Sequence, residues 1–89
     1  MVFHISYDLK RPGKDYARLY EAIKNLGSWC HPVDSTWYVN THHTAETVRN
    51  TLQAVMDSSD SLVVTAAGAP GAWFGLDQDV SAWLRQHLS

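Results

Sequence analysis

The sequence predicts a single α+β domain, residues 1–89, built on a four-stranded antiparallel sheet. Two observations lead to this class. Segments in which apolar and polar residues alternate, as in strands, lie between segments whose apolar residues recur every three or four positions, as in helices. These segments follow the order strand, helix, strand, strand, helix, strand and a final helix. A chain of this length can form one domain with a small core.

The first predicted strand covers residues 2–8. Its two faces are an apolar one with Phe3, Ile5 and Tyr7 and a polar one with His4, Ser6 and Asp8. A period of two with β-branched and aromatic residues is typical of a strand with one face in the core. Pro12 and Gly13 then end the strand. Asp8 is therefore predicted at the C-terminal end of this strand, a position where carboxylates with a chemical role in a functional site are often found.

Residues 14–26 are predicted to form a helix, because apolar residues recur along one side and Gly27 follows as a terminator. A short strand over residues 28–31 ends at Pro32, which is tolerated only in an edge strand or at a strand end. Residues 36–40 give the strongest strand signal in the chain. The last two segments are close enough to form an antiparallel hairpin.

A second helix is predicted over residues 45–56, with Thr44 or Thr41 as its cap. Residues 62–67 are a nearly continuous apolar run, which predicts a strand buried on both faces. The order of elements in residues 1–67 is therefore that of the ferredoxin-like βαββαβ fold.

A connector over residues 68–76 and a C-terminal helix over residues 77–88 are predicted to follow that core. Both core helices are expected to cover one face of the sheet. The other face is expected to carry His4, Ser6, Asp8, Thr36, Tyr38, Val63 and Thr65. Such a face has too many polar side chains to form a core and too many apolar ones to be fully exposed to solvent, so we expect a partner to cover it. The simplest partner is a second copy, with a dimer face made of His4, Ser6, Thr36 and Tyr38.

Composition limits the compartment and the partners. The single cysteine, Cys30, excludes an internal disulfide and indicates a reducing compartment, here the cytoplasm. The sequence predicts neither a signal peptide nor a membrane span. A formal net charge of −2 argues against a protein that coats DNA, but it is compatible with a local basic patch.

Four motifs carry a resemblance to a known family. They are Tyr7-Asp8-Leu9, the Pro-Gly-Lys-Asp-Tyr run at residues 12–16, Lys24-Asn25-Leu26-Gly27 and Ser35-Thr36-Trp37. In this pattern, over residues 3–65, the chain resembles the SinR-like small proteins. That group is related to the smaller CRISPR-adaptation nuclease, to virulence-associated protein D-type ribonucleases and to the antitoxin endoribonuclease GhoS.

The resemblance implies a site at Asp8. In the nuclease relatives, the first-strand aspartate of each protomer binds a divalent ion near the dimer axis, which implies Mg²⁺ or Mn²⁺ at Asp8. Ser35 matches a hairpin serine position of those relatives. The local basic cluster, Lys10, Arg11 and Lys14, supplies the candidate contacts to RNA or DNA.

Other interpretations of these side chains stay open. Asp8 could instead cap backbone amides of the turn at residues 10–13. One carboxylate is a poor Mg²⁺ site alone, whereas two brought together by a dimer axis would be a reasonable one. His42 and His43 could bind a metal, although adjacent loop histidines are more commonly solvated. Cys30 has no basic neighbour to activate it as a nucleophile.

Two functions from different classes follow. The first is a small cytoplasmic homodimeric interaction protein without catalysis, such as a toxin–antitoxin component or a phage or mobile-element protein that binds a host protein. The second is an Mg²⁺-dependent endonuclease or endoribonuclease in which Asp8 is the catalytic, metal-binding residue. The near-neutral charge and the single acid that matches the nucleases favour the first.

Overall fold

A computed structural model describes residues 1–11 and 15–88 and confirms the predicted α+β architecture. The elements, in chain order, are β1 (Val2–Asp8), α1 (Ala17–Lys24), β2 (Ser28–Val33), β3 (Thr36–Asn40), α2 (Ala45–Gln53), β4 (Ser61–Ala66) and α3 (Gln78–His87). The strands form one antiparallel sheet in the order β2-β3-β1-β4. This is the ferredoxin-like arrangement with an additional C-terminal helix.

Strand β1 lies inside the sheet and pairs with β3 on one side and with β4 on the other. Its central residue Ile5 is opposite Trp37 of β3 and Val64 of β4. The predicted alternation holds, because Phe3, Ile5 and Tyr7 are buried on the face that the first two helices cover. We call this layer the first core.

Helices α1 and α2 complete the first core with residues spaced four apart. Leu19 and Ile23 of α1, and Val48 and Leu52 of α2, are fully buried. Helix α2 begins after Thr44, whose hydroxyl accepts a hydrogen bond from the Thr47 amide at 3.1 Å, so the predicted cap is confirmed. Within the described ranges, no helix combines the length and the hydropathy that crossing a bilayer requires.

Helix α3 lies on the opposite face of the sheet. Its residues Leu84 and Leu88 form a second core with Val2 and Cys30, and all four are buried. The indole N–H of Trp83 also donates a hydrogen bond to the Ser28 hydroxyl at 2.8 Å. The C-terminal helix is therefore packed on the β2 side of the face that the sequence analysis left open for a partner.

The expectation that β4 is buried on both faces is wrong. Leu62 and Val64 pack against the first core, but Val63 is 55% exposed and Thr65 is exposed on the other face. The reason is that β4 is an edge strand and α3 covers the far side of the sheet, above β2. A short apolar run of β-branched residues is compatible with either position, so the sequence did not distinguish them.

Gly27 allows the chain to leave α1 close beside β3. A β-carbon added at this position would overlap the backbone carbonyl oxygen of Asn40. We expect Gly27→Ala to lower the free energy of unfolding by about 2 kcal/mol, because backbone atoms must move to relieve the overlap. Chemical denaturation measures this change.

Gly68→Ala is the matched control, since a β-carbon at Gly68 would meet no atom within 4 Å. We expect the stability of this variant to stay within about 0.5 kcal/mol of the wild type. Equal effects of the two substitutions would contradict the close approach at Gly27.

Candidate functional site

The predicted site residue Asp8 is the last residue of β1, and its carboxylate is at the surface. Its side chain is 66% exposed, and one of its oxygens lies 2.7 Å from the Lys10 ammonium group. In the sheet, Asp8 is opposite Ser61 of β4. The strand end therefore presents a carboxylate that is accessible to solvent and paired with one cation.

Asp60, rather than Asp8, caps the Lys10 amide, whereas residues 12 and 13, which the predicted Asp8 cap also included, lie outside the described residues. The Asp60 carboxylate accepts hydrogen bonds from the Lys10 amide at 2.8 Å, the Asp57 amide at 2.8 Å and the Tyr16 hydroxyl at 2.9 Å. Asp60 thus joins the segment after β1 to the turn before β4. Asp60 was not among the predicted site residues, because its partner Lys10 lies far away in sequence and no local pattern connects the two.

Burial opposes the ionisation of Asp60, but the amides of Lys10 and Asp57 and the Tyr16 hydroxyl outweigh it. Together these hydrogen bonds hold the pKa of Asp60 below its ordinary value. Asp60 is therefore an ionised structural residue at neutral pH. A proton donor or acceptor for catalysis needs a pKa nearer the working pH, which argues against such a role for this carboxylate.

The predicted nucleic-acid contacts are largely engaged with carboxylates. Lys10 is paired with Asp8, and the Arg11 guanidinium donates to Asp57 at 3.1 Å. Lys14 lies outside the described residues. Among the described residues of this corner, two cations lie near the three carboxylates of Asp8, Asp57 and Asp60. This arrangement gives a phosphate backbone little net attraction.

A single chain does not complete a metal site at Asp8. Within residues 1–11 and 15–88, no three His, Cys, Asp or Glu side chains are grouped so that they could hold a metal ion. An ion at Asp8 would also compete with the Lys10 ammonium group. Mg²⁺ or Mn²⁺ would therefore need a second carboxylate from another copy, together with water or phosphate oxygens.

The predicted dimer face is divided into a covered and an uncovered half, so the expectation of one open face is wrong. Tyr38 packs against the second core, and its ring centroid lies 5.2 Å from that of His4. The cause is α3, which packs above β2 and contributes Leu84 and Leu88 to the second core that Tyr38 adjoins. We call the other half, on β1 and β4, the open strip; its residues are His4 and Ser6, which are half-buried, and Val63 and Thr65, which are exposed.

Thr36, the other predicted dimer-face residue, lies beside Tyr38 in a groove of about 320 Å³ between the sheet and the C-terminal segment. The groove is lined mainly by apolar side chains, among them Val33, Trp73 and Phe74. Phe74 is 97% exposed at its rim. The covered half of the face therefore also presents apolar surface, but this surface is shaped by the chain's own C-terminal segment.

Ser35, the hairpin serine of the family motif, has a backbone role in the structure. It adopts a positive φ of 66° in the turn between β2 and β3. Its carbonyl oxygen accepts a hydrogen bond from the Tyr7 amide at 3.1 Å. Ser35 thus holds the hairpin turn beside the end of β1, through a hydrogen bond to Tyr7, the residue before Asp8.

The remaining candidates do not form a site. Burial raises the pKa of the Cys30 thiol to about 11, which removes the thiolate needed for nucleophilic attack. His42 and His43 are both exposed in the loop before α2. His31 stacks on Trp37 with ring centroids 3.9 Å apart, and burial lowers its pKa. These side chains are structural or solvated.

Comparison with models of known protein families gives no match, and no curated protein is significantly similar to the chain. The relationship to the SinR-like group, which four short motifs indicate, therefore stays a prediction. The function has to be argued from the open strip and from the corner at Asp8.

The depressed pKa of Asp60 predicts a pH dependence of stability. Because its folded-state pKa is below the ordinary value of 3.8, the ionised form stabilises the fold above pH 4 or so. This contribution is lost as the pH falls through the folded-state pKa. We expect Asp60→Asn to be less stable than the wild type at pH 7 and to approach it at acidic pH, as measured by urea denaturation.

Asp77→Asn is the charge-matched control, because the Asp77 side chain makes no capping hydrogen bond at the start of α3. We expect Asp77→Asn to destabilise the protein less than Asp60→Asn does at pH 7. If Asp60→Asn and Asp77→Asn behave alike, the network around Asp60 does not stabilise the fold.

Proposed function

We propose that this chain is a non-catalytic interaction protein, which works as a homodimer and binds another protein through the open strip. The observation that carries the proposal is the open strip itself, a part of a sheet face on which Val63 is 55% exposed. His4, Ser6 and Thr65 supply polar groups around this apolar side chain. Such a mixture is characteristic of protein-binding surfaces.

The position of α3 supports a partner other than a flat second sheet. A sheet that packs on another lies about 10 Å above it. Helix α3 already occupies this layer above β2, so a partner reaches only the half of the face formed by β1 and β4. An inserted helix or loop fits such a half-face better than an extended sheet does.

The chemistry at Asp8 also supports an interaction protein rather than an enzyme. Asp8 is paired with Lys10, Arg11 is paired with Asp57, and Cys30 is a buried thiol. The buried, single cysteine is consistent with a cytoplasmic protein. With the family resemblance, these features favour a toxin–antitoxin component or a phage or mobile-element protein that binds a host factor.

The open strip can be tested with a photo-cross-linking amino acid at Ser6, in cells that produce the protein. We expect a specific covalent adduct to one protein from position 6 and none from position 18, where Arg18 is exposed on α1. Mass spectrometry identifies the partner. Adducts that are the same at both positions, or absent from both, would contradict the proposal.

Ser6→Arg should then weaken binding to the identified partner at least about tenfold, because a charge would be buried in the interface. Ser58→Arg is the matched control, since Ser58 is exposed in the turn before β4. Isothermal titration measures both affinities. Equal affinities of the two variants would place the interface elsewhere.

A second candidate function is the Mg²⁺-dependent endonuclease or endoribonuclease of the related families. The observation that favours it is the exposed carboxylate of Asp8, which no described backbone amide uses as a cap. Two Asp8 side chains, one from each copy, would hold Mg²⁺ or Mn²⁺ near a dimer axis, and the ion would activate water. This function requires a dimer that brings the two carboxylates together.

Incubation of the purified protein with RNA and DNA, in the presence of Mg²⁺ or Mn²⁺, tests this alternative. Under the proposed interaction function we expect no metal-dependent cleavage. Cleavage that is lost in Asp8→Asn but kept in Asp34→Asn, a change at another exposed aspartate, would establish the nuclease instead. Cleavage that survives in both variants would indicate a contaminating enzyme.

A further inference from the structure

The two edges of the sheet are protected very differently. Strand β2 contains Pro32 and shifts its register between Cys30 and Val33. Proline and an irregular register both hinder a further strand from pairing with an edge. Strand β4, at the other edge, is six residues long and contains no charged residue, proline or glycine.

The hydrogen bonds to β1 define which groups of β4 point outward. The Ala67 amide donates to the Val2 carbonyl at 2.9 Å, and the register pairs His4 with Thr65. In an antiparallel pair, alternate residues bond to the neighbouring strand. Residues 63 and 65 therefore direct their backbone groups toward β1, whereas Leu62, Val64 and Ala66 direct theirs away from the sheet.

We propose that β4 is a self-association edge, where two copies of this chain pair antiparallel about a two-fold axis at Val64. In this register Leu62 of each copy is opposite Ala66 of the other, and the two Val64 residues are opposite each other. All three outward residues of each copy then exchange backbone hydrogen bonds with the partner. The product is a continuous eight-stranded sheet.

Side chains and charges suit a second copy as the occupant. The register places Val63 of each copy opposite Thr65 of the other, and β-branched residues make favourable cross-strand pairs. The same pairing would bury part of the Val63 side chain, which is 55% exposed in the single chain. No like charges meet along Ser61–Ala66, because this strand is uncharged. An uncharged, unprotected edge has no feature that would repel its own copy.

This inference goes beyond the proposed function, because it concerns the edge and not the open strip. The edge pairing would place the two open strips side by side on one face, with only the Val63 and Thr65 side chains of each strip in contact across the new edge. Self-association would use the outward backbone groups of β4, whereas partner binding would use side chains of the strip, so that Ser6→Arg tests the strip without touching those backbone groups.

Cysteine pairing tests the register directly. In the proposed dimer, residues 63 and 65 of opposite copies form a non-hydrogen-bonded pair with α-carbons about 4.5 Å apart, which a disulfide can bridge. We expect oxidation of a mixture of Val63→Cys and Thr65→Cys chains to give a covalent dimer with one chain of each. Either variant alone should give no covalent dimer, because the same residue in the two copies would be about 7–8 Å from its counterpart. The native Cys30 should not form a disulfide either, since it is buried.

Val64→Pro tests the hydrogen bonds. Proline at position 64 removes an outward amide and leaves the bonds to β1 intact, so circular dichroism should show a folded protein while sedimentation shows loss of the dimer. Val64→Ala keeps the amide and should keep the dimer. A wild-type chain that is monomeric in sedimentation at all concentrations would overturn the proposal, as would a dimer that yields no mixed disulfide. If Val64→Pro does not fold, the mixed-disulfide experiment still tests whether the two copies pair through β4.

Discussion

Every layer of this protein depends on the pairing of β1 with a strand on each side. Ile5, at its centre, is fully buried in the first core, whereas Val2 belongs to the second core on the opposite face. On that opposite face, Val2 is followed by His4 and Ser6, which do not extend an apolar core. The side chains of this one strand therefore limit how far the C-terminal segment can cover the sheet, and the open strip begins where they become polar.

The sequence could predict the elements whose signal is local. The alternation of Phe3, Ile5 and Tyr7 and the cap at Thr44 were readable because each depends on neighbours in the chain. The role of Asp60 was not, because its partner Lys10 lies fifty residues away in sequence. The sequence also did not predict the face of the sheet on which α3 packs, because a connector without a periodic pattern does not indicate which face the next element will cover.

The candidate site was predicted in position but not in its surroundings. Asp8 is at the end of β1 as its strand pattern indicates, but its ion pair with Lys10 depends on the path of the chain after the strand. The division of the predicted dimer face between Tyr38 and the open strip likewise follows from tertiary packing of α3. Short motifs specify residue types at fixed spacings, and they carry no information about which neighbours neutralise or cover those residues.

The geometry of self-association connects the two candidate functions. In a sheet continued through β4, the two Asp8 residues lie at opposite ends of antiparallel strands. The usual strand spacing and rise per residue place them about 25 Å from each other. Carboxylates at that distance cannot share one divalent ion, whose ligands lie about 2 Å away. An edge-paired dimer therefore supports the interaction function, whereas a shared metal at Asp8 requires the copies to meet through another surface. The same disulfide experiment that tests the edge thus also bears on whether Asp8 can act in catalysis.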